Sequence, residues 1–209
     1  MLICDKWYFI GLKGVNEYNY FMDFKNVLNF LVSEFSKKDI DFALVGGLAV
    51  SVYTQPRMTQ DIDLMILLSD FNKAKNILEK AGYNLEYLSK DIATFISKAA
   101  LMGRIDFQLA HRKYAVSMIK RAENFELFLN LKVKILSPED IIGLKVQAYN
   151  NDPHRYHKDM ADIQELLKSE RCKDLGLVEE YFRIFDRLND FQRLVKELNI
   201  NYENKKKKE

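Results

Sequence analysis

The sequence predicts an α+β fold, a mixed β-sheet flanked by helices and followed by a C-terminal helical bundle. Three observations carry this expectation. A short apolar run at 40–45 ends in Gly46-Gly47 and leads into a helix-compatible stretch. The segment Asp61-Ile62-Asp63-Leu64-Met65-Ile66-Leu67 opens with strict polar/apolar alternation, the period of a half-buried strand. From Ser137 onward the spacing of apolar residues becomes helical and stays so to Ile200.

The first helix is expected over 23–38, where Val27, Leu28, Leu31, Val32 and Phe35 share one side and Lys25, Glu34 and Lys37 lie elsewhere. A strand at 40–45 follows, then Gly46-Gly47, then a helix that runs through 48–53 and is stopped by Pro56. In the strand at 61–67 Ile62, Leu64 and Ile66 take one face, Asp61 and Asp63 the other. Ser69 is the expected cap of a helix to about residue 81, with Phe71, Ala74, Ile77 and Leu78 as its buried stripe and Gly82 as its stop. Strand-like segments follow at 83–88, 93–97 and 104–109, a helix at 112–122, and one or two β segments over 125–136 around Asn130. Ser137-Pro138-Glu139-Asp140 is a capped helix start with proline at the first helical position. Breaks in the helical half are expected near 150–153, 172–176 and Asn189.

The chain has 209 residues against roughly 150 per domain, which allows one domain with an appendage or two small ones. The change of period places the boundary: an α/β domain at 1–136, a helical domain at 137–202 and a basic tail, expected to be disordered, at 203–209. With 48% apolar residues the chain builds a core without disulfides or a structural metal. Lys plus Arg number 32 and Asp plus Glu 30, so the net charge of +2 selects neither nucleic acid nor an acidic membrane as partner. Cys4 and Cys172 are far apart and belong to no Cys/His cluster, which fits free thiols in a reducing cytosol. The start carries an acid at Asp5 and only a short apolar run at 7–12, unlike a signal peptide. The longest uncharged stretch, 42–56, is shorter than the about 20 apolar residues that span a bilayer. A cytoplasmic protein with no membrane partner is expected.

Chemistry concentrates in three acids. Asp61 and Asp63 point the same way from one strand with Cα atoms roughly 6.5–7 Å apart, and carboxylates so placed stay ionised only beside a compensating cation. In Arg104-Ile105-Asp106-Phe107-Gln108-Leu109 the alternation repeats, and if that strand neighbours the first, Asp106 joins the pair. Three carboxylates on adjacent strands suit one or two Mg²⁺ ions, which clamp a nucleotide's phosphates for phosphoryl or nucleotidyl transfer. Asp-x-Asp alone is more often a solvent-facing edge. Gly46-Gly47 between a strand and a helix alters that balance, because glycine lets the backbone approach phosphate and the helix start presents N–H groups.

The stretch Val45-Gly46-Gly47-Leu48-Ala49-Val50 through Pro56-Arg57-Met58-Thr59-Gln60-Asp61-Ile62-Asp63-Leu64 resembles the DNA polymerase β-like nucleotidyltransferase superfamily. Its Arg-x-Thr-x-Asp-x-Asp form is most similar to the AbiEii-type toxin nucleotidyltransferases and their uncharacterised bacterial relatives. Ser137-Pro138-Glu139-Asp140-Ile141-Ile142 with Lys145, then Arg155, Lys158-Asp159 and Asp162, resembles their later motifs, so the similarity spans roughly residues 40–167. The resemblance implies a nucleotidyltransferase-like first domain that moves NMP from an NTP, with Mg²⁺ or Mn²⁺, to a hydroxyl on a protein, a tRNA or a small molecule. The NTP would lie between the two halves. It also implies a toxin role with a cognate antitoxin as partner. Asp61 and Asp63 would bind metal, and Asp106 would be metal ligand and general base. Gly46 and Gly47 would cradle the triphosphate, Arg57 and Thr59 would support the loop, Lys145 would reach the phosphates or base, and Asp159 would be a fourth catalytic or structural acid. Many members carry a serine within or straight after the glycine pair; Leu48 stands there, and Ser51 is one helical turn further on. That departure favours the alternative of a catalytically inactive nucleotide- or partner-binding module with the same fold. Arg155, Lys158, Asp159 and Asp162 also have the spacing of a surface ion-pair ladder, and His154, His157 and His111 lack the neighbours a zinc site requires.

Overall fold

The computed structural model describes residues 22–56, 58–99 and 101–200; Arg57, Cys4 and the basic tail lie outside them. The chain forms two compact units that divide between Leu136 and Ser137.

In the first unit, helix α1 (Phe24–Ser36) starts where the Asp23 carboxylate accepts the Asn26 N–H at 3.0 Å. It ends in a turn that puts Asp39 at a φ of 51° and returns the Ile40 N–H to the Phe35 carbonyl. Strand β1 (Phe42–Leu44) is wholly buried, and α2 (Gly46–Tyr53) begins at the first glycine. Strand β2 (Asp61–Leu67) follows. Ser69 does not cap the next helix. It sits inside a single 3₁₀ turn, Leu68–Asp70, that leads directly into α3 (Phe71–Lys80). Gly82, at a φ of 87°, ends that helix as expected. Strands β3 (Tyr83–Leu88), β4 (Ile92–Ser97) and β5 (Arg104–Ala110) come next, then α4 (Lys113–Arg121) and the hairpin β6 (Glu123–Phe128) and β7 (Leu131–Ile135). Asn130 turns the hairpin at a φ of 65°, a conformation asparagine tolerates better than most residues.

The strands form one mixed sheet in the order β3-β4-β5-β2-β1-β7-β6. Strand β2 pairs antiparallel with β1 and parallel with β5. Alternation sorts the two faces. Ile62, Leu64, Ile105, Phe107 and Phe95 are fully buried on one. There α1 and α3 cover the sheet: Phe35 stacks on Phe107 at 6.3 Å, Phe107 meets Phe95 edge-on at 5.6 Å, and Phe71 lies 6.4 Å from Phe95. Each such side chain contributes about 1.5–3 kcal/mol through burial, so this face anchors the unit. The opposite face carries the acids.

The second unit is helical: α5 (Pro138–Asn151), a 3₁₀ turn (Pro153–Arg155), α6 (Tyr156–Lys168), α7 (Leu175–Ile184) and α8 (Leu188–Glu197). Ser137 caps α5 by accepting the Asp140 N–H at 3.2 Å. Gly143 lies under the Tyr181 ring, where a Cβ would come within 2.7 Å of ring carbons, and the Tyr181 hydroxyl donates to Asp140 Oδ1 at 2.6 Å. Two expected breaks move. Gly176 lies inside α7, whose start is set by the Asp174 carboxylate accepting the Leu177 N–H. Asn189 lies inside α8, the break falling before it where Asp186 has a φ of 56°. Among the described residues no helix is long and apolar enough to cross a membrane.

Candidate active site

Parallel pairing of β2 with β5 sets Asp63 directly opposite Asp106 and Asp61 opposite Arg104. Residues two apart share a face, so all four side chains rise from the same side of the sheet. Asp61, Asp63 and Asp106 are half-buried, and one carboxylate oxygen from each lies within 4.8 Å of the others. Among the described residues this is the one cluster of His, Cys, Asp or Glu side chains so arranged.

Each acid has a built support. The Thr59 hydroxyl donates to Asp61 Oδ1 at 2.9 Å, tying the approach to β2 to the first acid. Asp63 abuts Gly46, which has a φ of 64°; a Cβ there would lie 1.8 Å from Asp63 Oδ2. Only glycine meets both demands, the left-handed backbone and the bare space. The Asp63 carbonyl accepts the Val45 N–H at 2.9 Å, holding the glycine turn against β2. Asp106 takes two donors: the buried Thr94 hydroxyl to Oδ1 at 2.6 Å and Arg104 Nε to Oδ2 at 2.8 Å. The Arg104 guanidinium holds its proton more tightly than usual, chiefly through the hydrogen bond to Asp106, against some burial, and then through the fields of Asp106, Asp61 and Asp63.

The donor set fits a divalent cation. Carboxylate oxygens are hard ligands, and around Mg²⁺ adjacent oxygens stand about 3 Å apart and opposite ones about 4.2 Å, so three oxygens within 4.8 Å of one another would draw together by side-chain rotation to share one ion.

The other residues singled out from the sequence fall as follows. Gly47 lies in the first turn of α2, its carbonyl accepting the Ser51 hydroxyl at 3.0 Å. Ser51 is buried and turned into its own helix, and Leu48 is buried in the core. Lys145 and Asp159 meet in the helical unit: Lys145 Nζ stands 3.1 Å from Asp159 Oδ1 and 2.5 Å from Asp162 Oδ2, and Arg155 Nε donates to Asp159 Oδ2 at 2.9 Å. Asp159 has 0% exposure and Asp162 6%, so this is a buried cluster rather than a surface ladder, with Lys158 left exposed outside it. His154 and His157 are exposed on the second unit, and His111 binds Asp91 at 2.7 Å. Sequence reasoning did not single out Thr94 or Arg104. Alternation in 104–109 put Arg104 on the face of Asp106, whereas 93–97 read only as a strand, and the convergence of Thr94 on Asp106 depends on the register of β4 with β5, where Thr94 lies opposite Asp106.

A mixed sheet that presents three acids beside a glycine turn and carries a helical unit after it is a nucleotidyltransferase-like fold. Solved structures of that class are similar to this chain. They include the lincosamide antibiotic adenylyltransferase LnuA, bound to lincomycin (17% identity, 69% of this chain and 96% of that one, TM-score 0.50), and the antibiotic-resistance factor ANT(2'')-Ia in solution (13%, 88% and 100%, 0.57). A third is an antigenic nucleotidyltransferase-like protein from Paracoccidioides brasiliensis (16%, 82% and 91%, 0.53). At these identities the likeness is one of fold. The model of the family described as nucleotidyl transferase AbiEii toxin, type IV toxin–antitoxin system, matches residues 29–207, and the chain belongs to that family. No curated protein sequence matches it.

Proposed function

We propose that the chain transfers a nucleoside monophosphate from an NTP to the hydroxyl of an acceptor, and that it does so as the toxin of a toxin–antitoxin pair. The observation that carries the chemistry is the convergence of the Asp61, Asp63 and Asp106 carboxylates within 4.8 Å on adjacent parallel strands. These three would hold Mg²⁺ or Mn²⁺, which when bound supplies positive charge to a triphosphate. The first turn of α2, entered through Gly46 and Gly47, offers backbone N–H groups to the phosphates. Thr59, with Arg57 beside it in sequence, supports that approach through its bond to Asp61. Asp106 receives the proton of the acceptor hydroxyl: the acceptor oxygen bonds to the α-phosphorus, the bond from that phosphorus to the bridging oxygen breaks, and pyrophosphate leaves. Asp106 Oδ1 has a second lone pair beyond the one given to Thr94, so it can take that proton without losing the Thr94 bond.

For Asp159 the geometry supports the structural one of its two expected roles, and for Lys145 likewise, since reaching a nucleotide would break its contacts with two buried carboxylates. The toxin role, and an antitoxin as partner, rest on the family. An acceptor among protein, tRNA and small molecules is consistent with the fold, which serves an antibiotic-modifying adenylyltransferase elsewhere.

The second reading, a binding module without turnover, is favoured by buried Leu48 where many relatives place a phosphate-binding serine. Incubation of the protein with each α-phosphate-labelled NTP, Mg²⁺ or Mn²⁺ and a cell extract separates the two. Label transfer that disappears in the Asp61→Ala/Asp63→Ala variant supports the enzyme; nucleotide binding without transfer supports the module.

A further inference from the structure

Arg104 is opposite Asp61 in register, two residues from Asp106 on the same strand, and donates Nε to Asp106 Oδ2 at 2.8 Å. Its side chain is half-exposed while that of Asp106 is 14% exposed, so the guanidinium approaches from the solvent side of the acid cluster. Three carboxylates within 4.8 Å repel one another, and Arg104 is a cationic side chain in direct contact with one of them. The Thr94 hydroxyl fixes the other Asp106 oxygen at 2.6 Å, so the carboxylate is clamped at both oxygens.

We propose that Arg104 is a resident counter-ion of the acid triad, acting at Asp106: it holds Asp106 in place before a divalent cation arrives and competes with that cation for Asp106 Oδ2. The proposal rests on the reading of the triad as a metal site. Two consequences follow from charge alone. A cation entering the triad meets a guanidinium already on one of its ligand oxygens, so the site's affinity for a bare cation is held down. Once displaced, the guanidinium stays on the acid face of the sheet and needs an anion. A triphosphate arriving with the cation provides one, so cation and nucleotide bind cooperatively where either alone binds weakly. Thr94, a neutral donor to the opposite oxygen, opposes no cation and positions Asp106 throughout.

The test is equilibrium Mn²⁺ binding to the full chain, without nucleotide, followed by the loss of the free-ion EPR signal. It compares the wild type with Arg104→Gln, Arg104→Lys and Asp106→Asn. An exposed ion pair plus a unit charge several ångströms away predicts binding about three- to tenfold tighter in Arg104→Gln. Arg104→Lys, which keeps the charge, stays within about twofold of the wild type, and Asp106→Asn binds more weakly than either. A misfolded variant does not gain cation affinity, so tightening is diagnostic. Mn²⁺ binding to the wild type that is unchanged or weakened in Arg104→Gln overturns the role of Arg104 and leaves the metal site standing. Binding by Arg104→Gln but not by the wild type supports the competition. Binding by neither overturns the metal site and the proposal together.

Discussion

Gly46 and Asp63 are fitted to one another: a Cβ on residue 46 would stand 1.8 Å from Asp63 Oδ2. The backbone there is left-handed as well, at a φ of 64°. Gly46→Ala therefore combines backbone strain of about 1–2 kcal/mol with forced displacement of an acid at the centre of the site. It should lower the melting temperature by several degrees and reduce nucleotidyl transfer at least a hundredfold. Thermal melts beside label-transfer assays check both, and an active Gly46→Ala protein contradicts the packing.

Asp61 and Asp63 are held within 4.8 Å of one another in spite of their like charge, which costs stability. Without divalent cations, Asp61→Asn, whose amide oxygen can still accept the Thr59 hydroxyl, should match or exceed the wild type in stability by up to about 1 kcal/mol, and Asp63→Asn serves as the second variant for cation binding. Both variants should lose the stabilisation that Mg²⁺ or Mn²⁺ confers, and both should lose transfer. Calorimetric melts with and without the cation decide this.

Lys145 is buried between Asp159 and Asp162, at 3.1 and 2.5 Å. Removing one partner of a buried pair costs up to about 3–5 kcal/mol, and because Arg155 remains on Asp159 the loss here falls toward the lower end. Lys145→Met should destabilise the helical unit by that order near neutral pH, and the triple variant Lys145→Met/Asp159→Asn/Asp162→Asn should recover most of the loss. Urea denaturation measures both. A Lys145→Met protein of unchanged stability that has lost transfer would instead make Lys145 a substrate contact.

Tyr83 is buried and donates its hydroxyl to the Met102 carbonyl at 2.7 Å, and burial pushes its pKa from 10.0 up to about 12. Burial likewise raises Tyr149, helped by Asp190, which accepts its hydroxyl at 3.2 Å. A folded-state pKa above the unfolded value means that the folded chain holds the proton more tightly. That stability is fully present below pH 10 and is lost as pH rises toward 12. Melts across this window should show a falling midpoint, with a shallower fall in Tyr83→Phe even though that variant starts lower for want of the hydrogen bond.

Much of this was legible before the fold was known, because alternation and glycine placement are local. The split of Asp61 and Asp63 from Ile62 and Leu64, the stop at Gly82 and the turn at Asn130 needed only neighbouring residues. Ser69 misled because serine before an apolar run is the usual cap, whereas here the chain leaves β2 through a 3₁₀ turn that begins at Leu68. Asn189 and Gly176 misled because each stands one residue inside a helix rather than in its loop, a difference set by how α7 and α8 dock. The convergence of Thr94 and Arg104 on Asp106 was hidden for another reason. It depends on which strands pair and in what register, and the pairing of β2 with β5 spans a helix and two further strands. Burial of Asp159 and Lys145 was equally invisible, since charges at helical spacing read as a solvated face until the partner helix is placed.

The central claim, transfer of a nucleotidyl group at the acid triad, is tested most directly by supplying the same NTP labelled in one reaction at the α-phosphate and in another at the γ-phosphate. Both reactions contain Mg²⁺ or Mn²⁺ and a cell extract. The account predicts that α-label becomes attached to an acceptor, that γ-label is released as pyrophosphate, and that both events vanish in Asp61→Ala/Asp63→Ala. Transfer of γ-label to the acceptor, or α-label transfer that persists in the double variant, would contradict it.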